Sequence, residues 1–297
     1  MKMTFRHIIP MLVAATMLGA CSSDAGNETD MMSGNTPILL RGEIDDNAEA
    51  NTRAATDLYN SFAGTEEIDV TIYNADNNNA IIGQENMVYT ITSAGVMTPP
   101  TGLEPFFPAT TSGNVKIRAV YPSGTLSRTV LANQESKDNY EAGELLWAGR
   151  TATRTNSAVE LIFQHRMAKI IVNLTSRNGS PNLPGTVTLK SFQPTATVSK
   201  ESGEVTPSGT AIDIVMTANG AAMVPPQTHS ATPIFEIATA QGDLATYTPP
   251  SALVFKAGYV YTYDVQVDMR VITVTSTIST WGDNTATYTD QNLVGDT

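Results

Sequence analysis

The sequence predicts an all-β protein built as two antiparallel β domains of comparable size. Three observations carry that expectation. Thr, Asn, Gly, Ser and Pro are abundant while only 15% of the 297 residues are charged, a composition of strands and turns rather than of helices. Period-two alternation of apolar and polar residues recurs along the chain, and no amphipathic pattern of three helical turns interrupts it. The alternation also changes parity near residues 165–167, which turns every following side chain to the opposite face of its strand.

Taken in order, the chain begins with Lys2 and Arg6 and continues as an apolar run from Ile8 to Ala20. A basic start, a short apolar middle and small residues at its end read as a secretory signal peptide. The run is too short for a membrane-spanning helix, which takes about 20 residues. Leu18-Gly19-Ala20-Cys21 is similar to a bacterial lipobox, in which the chain is cut before the cysteine and its thiol is lipidated. Cys21 is the only cysteine in the sequence, so it is no half of a disulfide within the chain. Its position suits acylation and attachment to the outer membrane. A plain secretory peptide with an incidental cysteine is the other reading. Residues 22–34 are polar, as a tether from a membrane surface would be.

Strand patterns follow. Pro37 to Ile44 (PILLRGEI) is a short apolar strand, and Asp45 to Arg53 (DDNAEANTR) a polar linker exposed to proteases. Ile68 to Tyr73, Val115 to Tyr121, Thr186 to Phe192 and Val271 to Ile278 alternate. The clearest pattern is Tyr259 to Met269, apolar at odd positions and mostly polar at even ones. Turn clusters separate them at residues 74–79, 121–124, 177–181 and 206–209. Tyr140 to Ala148 holds at most one helical turn, weakened by Gly143. In Ala158 to Leu174 the apolar set runs over Val159, Leu161 and Phe163, then moves to Ala168, Ile170, Val172 and Leu174. The break at His165 to Met167 marks the seam. The expected organisation is a lipoprotein signal peptide over 1–20, a lipidated pro-segment with a first strand and linker over 21–53, and β domains over 54–165 and 166–297.

Formal net charge is −12, and −14 once residues 1–20 with Lys2 and Arg6 are removed. So acidic a chain argues against nucleic acid as a partner and against electrostatic docking on anionic lipid. With 41% hydrophobic residues, the body of the chain can build cores without disulfides. No sequence motif of a hydrolase, a metal site or a nucleotide-binding loop is present. His165 reads as a buried polar residue in the break rather than a catalytic base. Glu66-Glu67 and Asp45-Asp46 read as solvated faces, because neighbours in sequence do not make the facing carboxylates of a glycosidase. Asp76-Asn77-Asn78-Asn79 lacks the Gly and closing Glu of a calcium loop and reads as a turn. Trp147 and Trp281 are core plugs or, alternatively, a sugar-binding platform. Neither an enzyme nor a cofactor is expected.

Several stretches together resemble the fimbrillin family, the lipoprotein-derived pilins of Bacteroidetes-type bacteria. They are Arg53-Ala54-Ala55-Thr56 with Ile68 to Asn74, Gly143 to Ala148 with Val159 to Lys169, and Phe255 to Tyr263 with Ile278-Ser279-Thr280-Trp281, all downstream of the lipobox. The resemblance implies two transthyretin-like antiparallel β-sandwich domains in tandem, delivered to the outer membrane as a lipoprotein. It also implies that a trypsin-like protease cuts between Arg53 and Ala54, removing the lipidated N-terminus with its first strand. A C-terminal strand of a neighbouring pilin subunit then fills the vacated place, a case of β-augmentation. Residues 271–281 supply the donor strand candidate, with Ile272, Val274 and Ile278 on one face and Trp281 at the end, and Ala286 to Val294 forms one more weak strand. Arg41 is a competing cut site. The function implied is a structural subunit of a surface fimbria, in a homo- or hetero-polymer. An uncut chain would serve as an anchor that keeps its lipid. The runner-up is a surface lipoprotein that stays monomeric and binds a host glycan or protein.

Overall fold

Alternation becomes strand throughout the computed structural model, which describes residues 36–45, 61–108, 113–176, 186–238, 244–268, 271–281 and 288–294. In chain order the first elements are β1 Leu39–Ile44, β2 Glu67–Asn74, β3 Met87–Ile91, β4 Val96–Thr98, β5 Val115–Tyr121 and β6 Ser127–Thr129. A short helix α1, Lys137–Glu141, precedes β7 Leu146–Ala152 and β8 Ala158–His165. Then come β9 Ala168–Ser176, β10 Thr186–Phe192, β11 Thr195–Val198, β12 Val205–Ser208, β13 Ile212–Val215, β14 Ala221–Val224 and β15 Gln227–His229. The last are β16 Phe235–Ala238, β17 Leu244–Tyr247, β18 Leu253–Phe255, β19 Tyr259–Asp268, β20 Val271–Thr280 and β21 Tyr288–Val294.

The fold is all-β, and the strands surround two apolar cores. The first is enclosed by a closed sheet of order β1-β4-β3-β2-β5-β7-β8, with β1 also bonded to β8. Its interior holds Ile38, Leu40, Ile68, Val70, Ile72, Ile117, Leu161 and Phe163 among others. The second core lies under the sheet β14-β9-β19-β20-β21, facing β13-β10-β16-β17 and two small sheets. The parity break falls between β8 and β9: Val159, Leu161 and Phe163 enter the first core, Ala168, Ile170 and Val172 the second. Residues Gly34–Thr297 form one compact unit.

Three features differ from the sequence expectation. Pairing is mixed rather than antiparallel throughout, because β1 runs parallel to β8 and β9 parallel to β19. Parallel partners need a long crossover, and six strands lie between β1 and β8 in the chain. The helical turn sits at Lys137–Glu141, capped by the Ser136 side chain, which accepts from the Asn139 N–H. Leu145 and Leu146 belong to the chain beyond it, since the helix closes at Ala142, whose N–H donates to the Asp138 carbonyl. Finally, β6 pairs with β11, and Val130, Tyr140 and Leu145 pack in the second core. A segment ahead of the parity break thus serves the core behind it.

Candidate functional site

The residues of β1 show why this strand is set apart. Its even positions face inward: Ile38 just before the strand, Leu40 and Ile44 are buried, while Leu39 stands 58% exposed. Gly42 occupies the remaining inward position. A Cβ there would lie 2.8 Å from Phe163 Cε2, 3.0 Å from Ile91 Cδ1 and 3.3 Å from Met97 Sδ, so the wall has no room for a side chain. Gly95, in the turn before β4, is equally constrained, since its φ is +79° and a Cβ would meet the Gly42 carbonyl at 2.5 Å. The Gly42 N–H donates to the Gly95 carbonyl at 2.8 Å, which brings the two backbones together.

Backbone pairing holds β1 on both sides. Against β8 the register runs from Leu39↔Ala158 to Ile44↔Phe163, and against β4 it joins Leu40↔Met97 and Arg41↔Val96. Bonds beyond the ladder extend the seam: Ile38 N–H to the Pro105 carbonyl, Leu39 N–H to Ser157, and Asp45 N–H to Phe163. Outside, the Arg41 guanidinium donates to the Ala94 carbonyl at 3.0 Å. Each of the three buried side chains contributes about 1.5–3 kcal/mol relative to exposure. Topologically, β1 closes the ring. Without it the order becomes an open six-stranded sheet whose two edges, β4 and β8, face each other across an apolar seat.

The chain resumes beyond residues 46–60 with a firm anchor. Phe62 is buried, packing edge-on to Phe163 at 5.4 Å between centroids. Glu66 accepts the N–H groups of Ala63, Gly64 and Thr65 at 2.6–2.9 Å. The solvated face expected for Glu66-Glu67 holds for Glu67 alone; Glu66 is buried because three backbone donors converge on its carboxylate.

Of the residues singled out in the sequence, Cys21, Arg53 and Ala54 lie outside the described residues. Ile272, Val274, Ile278 and Trp281 do not stand at a free edge. They belong to β20 and its end, with β19 on one side and β21 on the other. Ile272, Val274 and Trp281 are buried in the second core. Trp281 stacks on His165 at 3.8 Å, and His165 Nδ1 lies 3.2 Å from Glu144 Oε1, an arrangement that ties β20 to the seam. Trp147 is no open platform: the Arg166 guanidinium lies 4.9 Å from its ring centre, and Gly203 is packed against it. His229 touches the Lys190 and Ser230 carbonyls and lies far along the chain from His165. Asn74 to Asn79 form a turn in which Asn74 and Asn77 side chains accept the N–H groups of Asp76 and Asn79. No group of three or more His, Cys, Asp or Glu fit to hold a metal occurs among the described residues. Sequence reasoning missed Gly42, Gly95, Ile91 and Met97, whose roles depend on which strands become neighbours of β1.

The family model described as fimbrillin-like matches residues 52–281. The chain belongs to the fimbrillin-like family. The match begins past β1 and ends before β21. Fimbrillin-like membership makes the protein a structural subunit of the fimbrial, cell-surface kind. Solved structures repeat the fold. A candidate cell-adhesion protein from Bacteroides uniformis is 20% identical with a TM-score of 0.65, covering 86% of this chain and 100% of its own. One from Bacteroides ovatus is 22% identical with a TM-score of 0.63, covering 83% and 98%. A fimbrial protein from Bacteroides vulgatus is 14% identical with a TM-score of 0.50, covering 82% and 99%. No curated protein matches the sequence.

Proposed function

We propose that this fimbrillin-like protein is an adhesive fimbrial subunit that polymerises by exchanging its first strand. It would reach the outer membrane through lipid on Cys21, and a trypsin-like protease would cut between Arg53 and Ala54. The observation that carries this reading is the position of β1. It is a complete strand with its own buried row, it alone closes the ring between β4 and β8, and it lies upstream of Arg53. One cut in residues 46–60 leaves it held only by pairing and packing. The strand that replaces it would come from the C-terminal part of a neighbour. Within that part, β20 is built into the second core, whereas β21 pairs with β20 alone and ends its sheet. β21 and the residues after it are therefore the better donor. The fimbrillin-like match over 52–281, which leaves out both β1 and β21, supports the same division of the chain.

The test is limited trypsin treatment of the purified full chain, followed by N-terminal sequencing and electrophoresis without boiling. The expected result is a new N-terminus at Ala54, loss of β1, and ladders resistant to SDS; Arg53→Ala abolishes both the cut and the ladder. A trimmed chain that has lost β1 and remains monomeric contradicts strand exchange. Sequencing of the protein at the cell surface separates a freed subunit, beginning at Ala54, from an anchor beginning at lipidated Cys21.

A further inference from the structure

The seat of β1 is not uniformly apolar. From one end to the other it takes a bulky side chain at Ile38, another at Leu40, none at Gly42 and a bulky one at Ile44. The missing pocket is a property of the wall, since Phe163, Ile91 and Met97 meet over Gly42. A strand entering in the same register therefore fits best with glycine at that one inward position, since any side chain there forces the Phe163 ring and its neighbours to shift. Leucine two residues before glycine, followed by an acidic residue and a β-branched one, occurs at two places in the sequence. One is Leu40-Arg41-Gly42-Glu43-Ile44; the other is Leu293-Val294-Gly295-Asp296-Thr297.

We infer that residues 291–297 of a second copy of this chain occupy the seat in a fixed register, Leu293 replacing Leu40 and Gly295 replacing Gly42, with Gly295 as the residue that admits the strand. This rests on the strand-exchange reading above and adds to it a register, an occupant and a specificity-determining residue. The register also orders the events. Gln291 would stand where Ile38 is buried and Thr297 where Ile44 is, so the incoming strand buries less apolar surface than β1. While β1 is tethered to its own chain it holds the seat against this weaker competitor. Once severed it can leave, and the second copy's segment takes its place. Strand β20 offers a similar row of sizes in Ile272, Val274, Ser276 and Ile278, but it is held between β19 and β21.

The experiment cuts the full chain with trypsin, inhibits the protease, and adds synthetic peptides of residues 36–45, 286–297 and 271–280. Binding is read by native mass spectrometry and SDS-resistant mobility. Peptides 36–45 and 286–297 are expected to bind, the former more tightly. Gly295→Val in peptide 286–297 should weaken binding about 10- to 100-fold, as overpacking does, with Gly295→Ala in between. In the full chain, Gly295→Val should abolish the ladder while trimming at Arg53 proceeds. Binding of the Gly295→Val peptide within about twofold of the parent overturns the inference, as does preferential binding of 271–280. Binding of 36–45 without 286–297 also overturns it and leaves strand exchange standing. If the trimmed chain loses β1 and binds none of the three, strand exchange itself fails.

Discussion

Tyr261 shows how much a single buried hydroxyl fixes in a protein without disulfides. It donates to the Val254 carbonyl at 2.9 Å and accepts the Lys256 N–H at 2.7 Å, so it clamps the loop that leads from β18 into β19. Burial pushes its phenol up to about 12 from the ordinary 10.0. Because the folded state holds that proton more tightly than the unfolded one, the stability it carries is fully present below pH 10.0. It is lost as pH rises from there through about 12. Tyr89 and Tyr263 are shifted in the same direction by burial and add to the slope. Unfolding by urea should therefore show a flat midpoint up to about pH 9.5 and a decline above it, each group adding up to about 1.4 kcal/mol per pH unit. Tyr261→Phe should cost about 1 kcal/mol at pH 7, through the orphaned Lys256 N–H, and make the alkaline decline shallower. An unchanged slope in that variant would refute the assignment.

At the scale of elements, the management of sheet edges stands out. In the sheet β14-β9-β19-β20-β21, β14 and β21 are the edge strands. At Met223 the edge of β14 is closed by one side chain: Gln134 Nε2 donates to the Met223 carbonyl at 2.9 Å, and its Oε1 accepts the Met223 N–H at 2.8 Å. The amide thus imitates a neighbouring strand and denies that edge to other chains. Gln134→Leu should cost about 1–3 kcal/mol by leaving both Met223 groups unpaired in the interior. The Met223 amide should also lose its protection from hydrogen exchange; continued protection at unchanged stability would sink the idea. Little of this was legible beforehand. Long alternating runs such as Tyr259 to Asp268 announced themselves, because period two survives over ten residues. Strands of three or four residues, β11 to β18, have no room to display a period. The inward row of β1 could be read from Ile38, Leu40 and Ile44. The role of Gly42 could not, since it is defined by Phe163, Ile91 and Met97, which topology alone brings together. Likewise an alternating β20 reads as an available strand until its partners on both sides are known.

For the molecule as a whole, the question is what makes the two cores act together. The parity break at residues 165–167 switches the strands from one core to the other, residues ahead of it such as Val130, Tyr140 and Leu145 already serve the second, and a plug built on β7 fastens the two further. Trp147 projects from the closed sheet and its indole N–H donates to the Lys200 carbonyl at 2.8 Å. Lys200 lies in the turn between β11 and β12, which belong to the other half. Gly203 in that turn has a φ of +70°, and a Cβ there would lie 2.6 Å from Trp147 Cδ2, so the turn is shaped around the ring. Arg118 on β5 reinforces the contact by donating to the Glu201 carbonyl at 2.9 Å, and Lys200 reaches back to Asn86. Trp147→Ala should cost about 2–4 kcal/mol, as removal of large packed side chains does. Gly203→Ala should be destabilising through both its positive φ and the collision with the indole. Because the two positions touch, their effects should be less than additive in a double-mutant cycle. Calorimetry of Trp147→Ala should resolve one unfolding transition into two, the cores melting separately. A single transition of unchanged midpoint and width, with additive effects of the two substitutions, would show that the cores are coupled elsewhere.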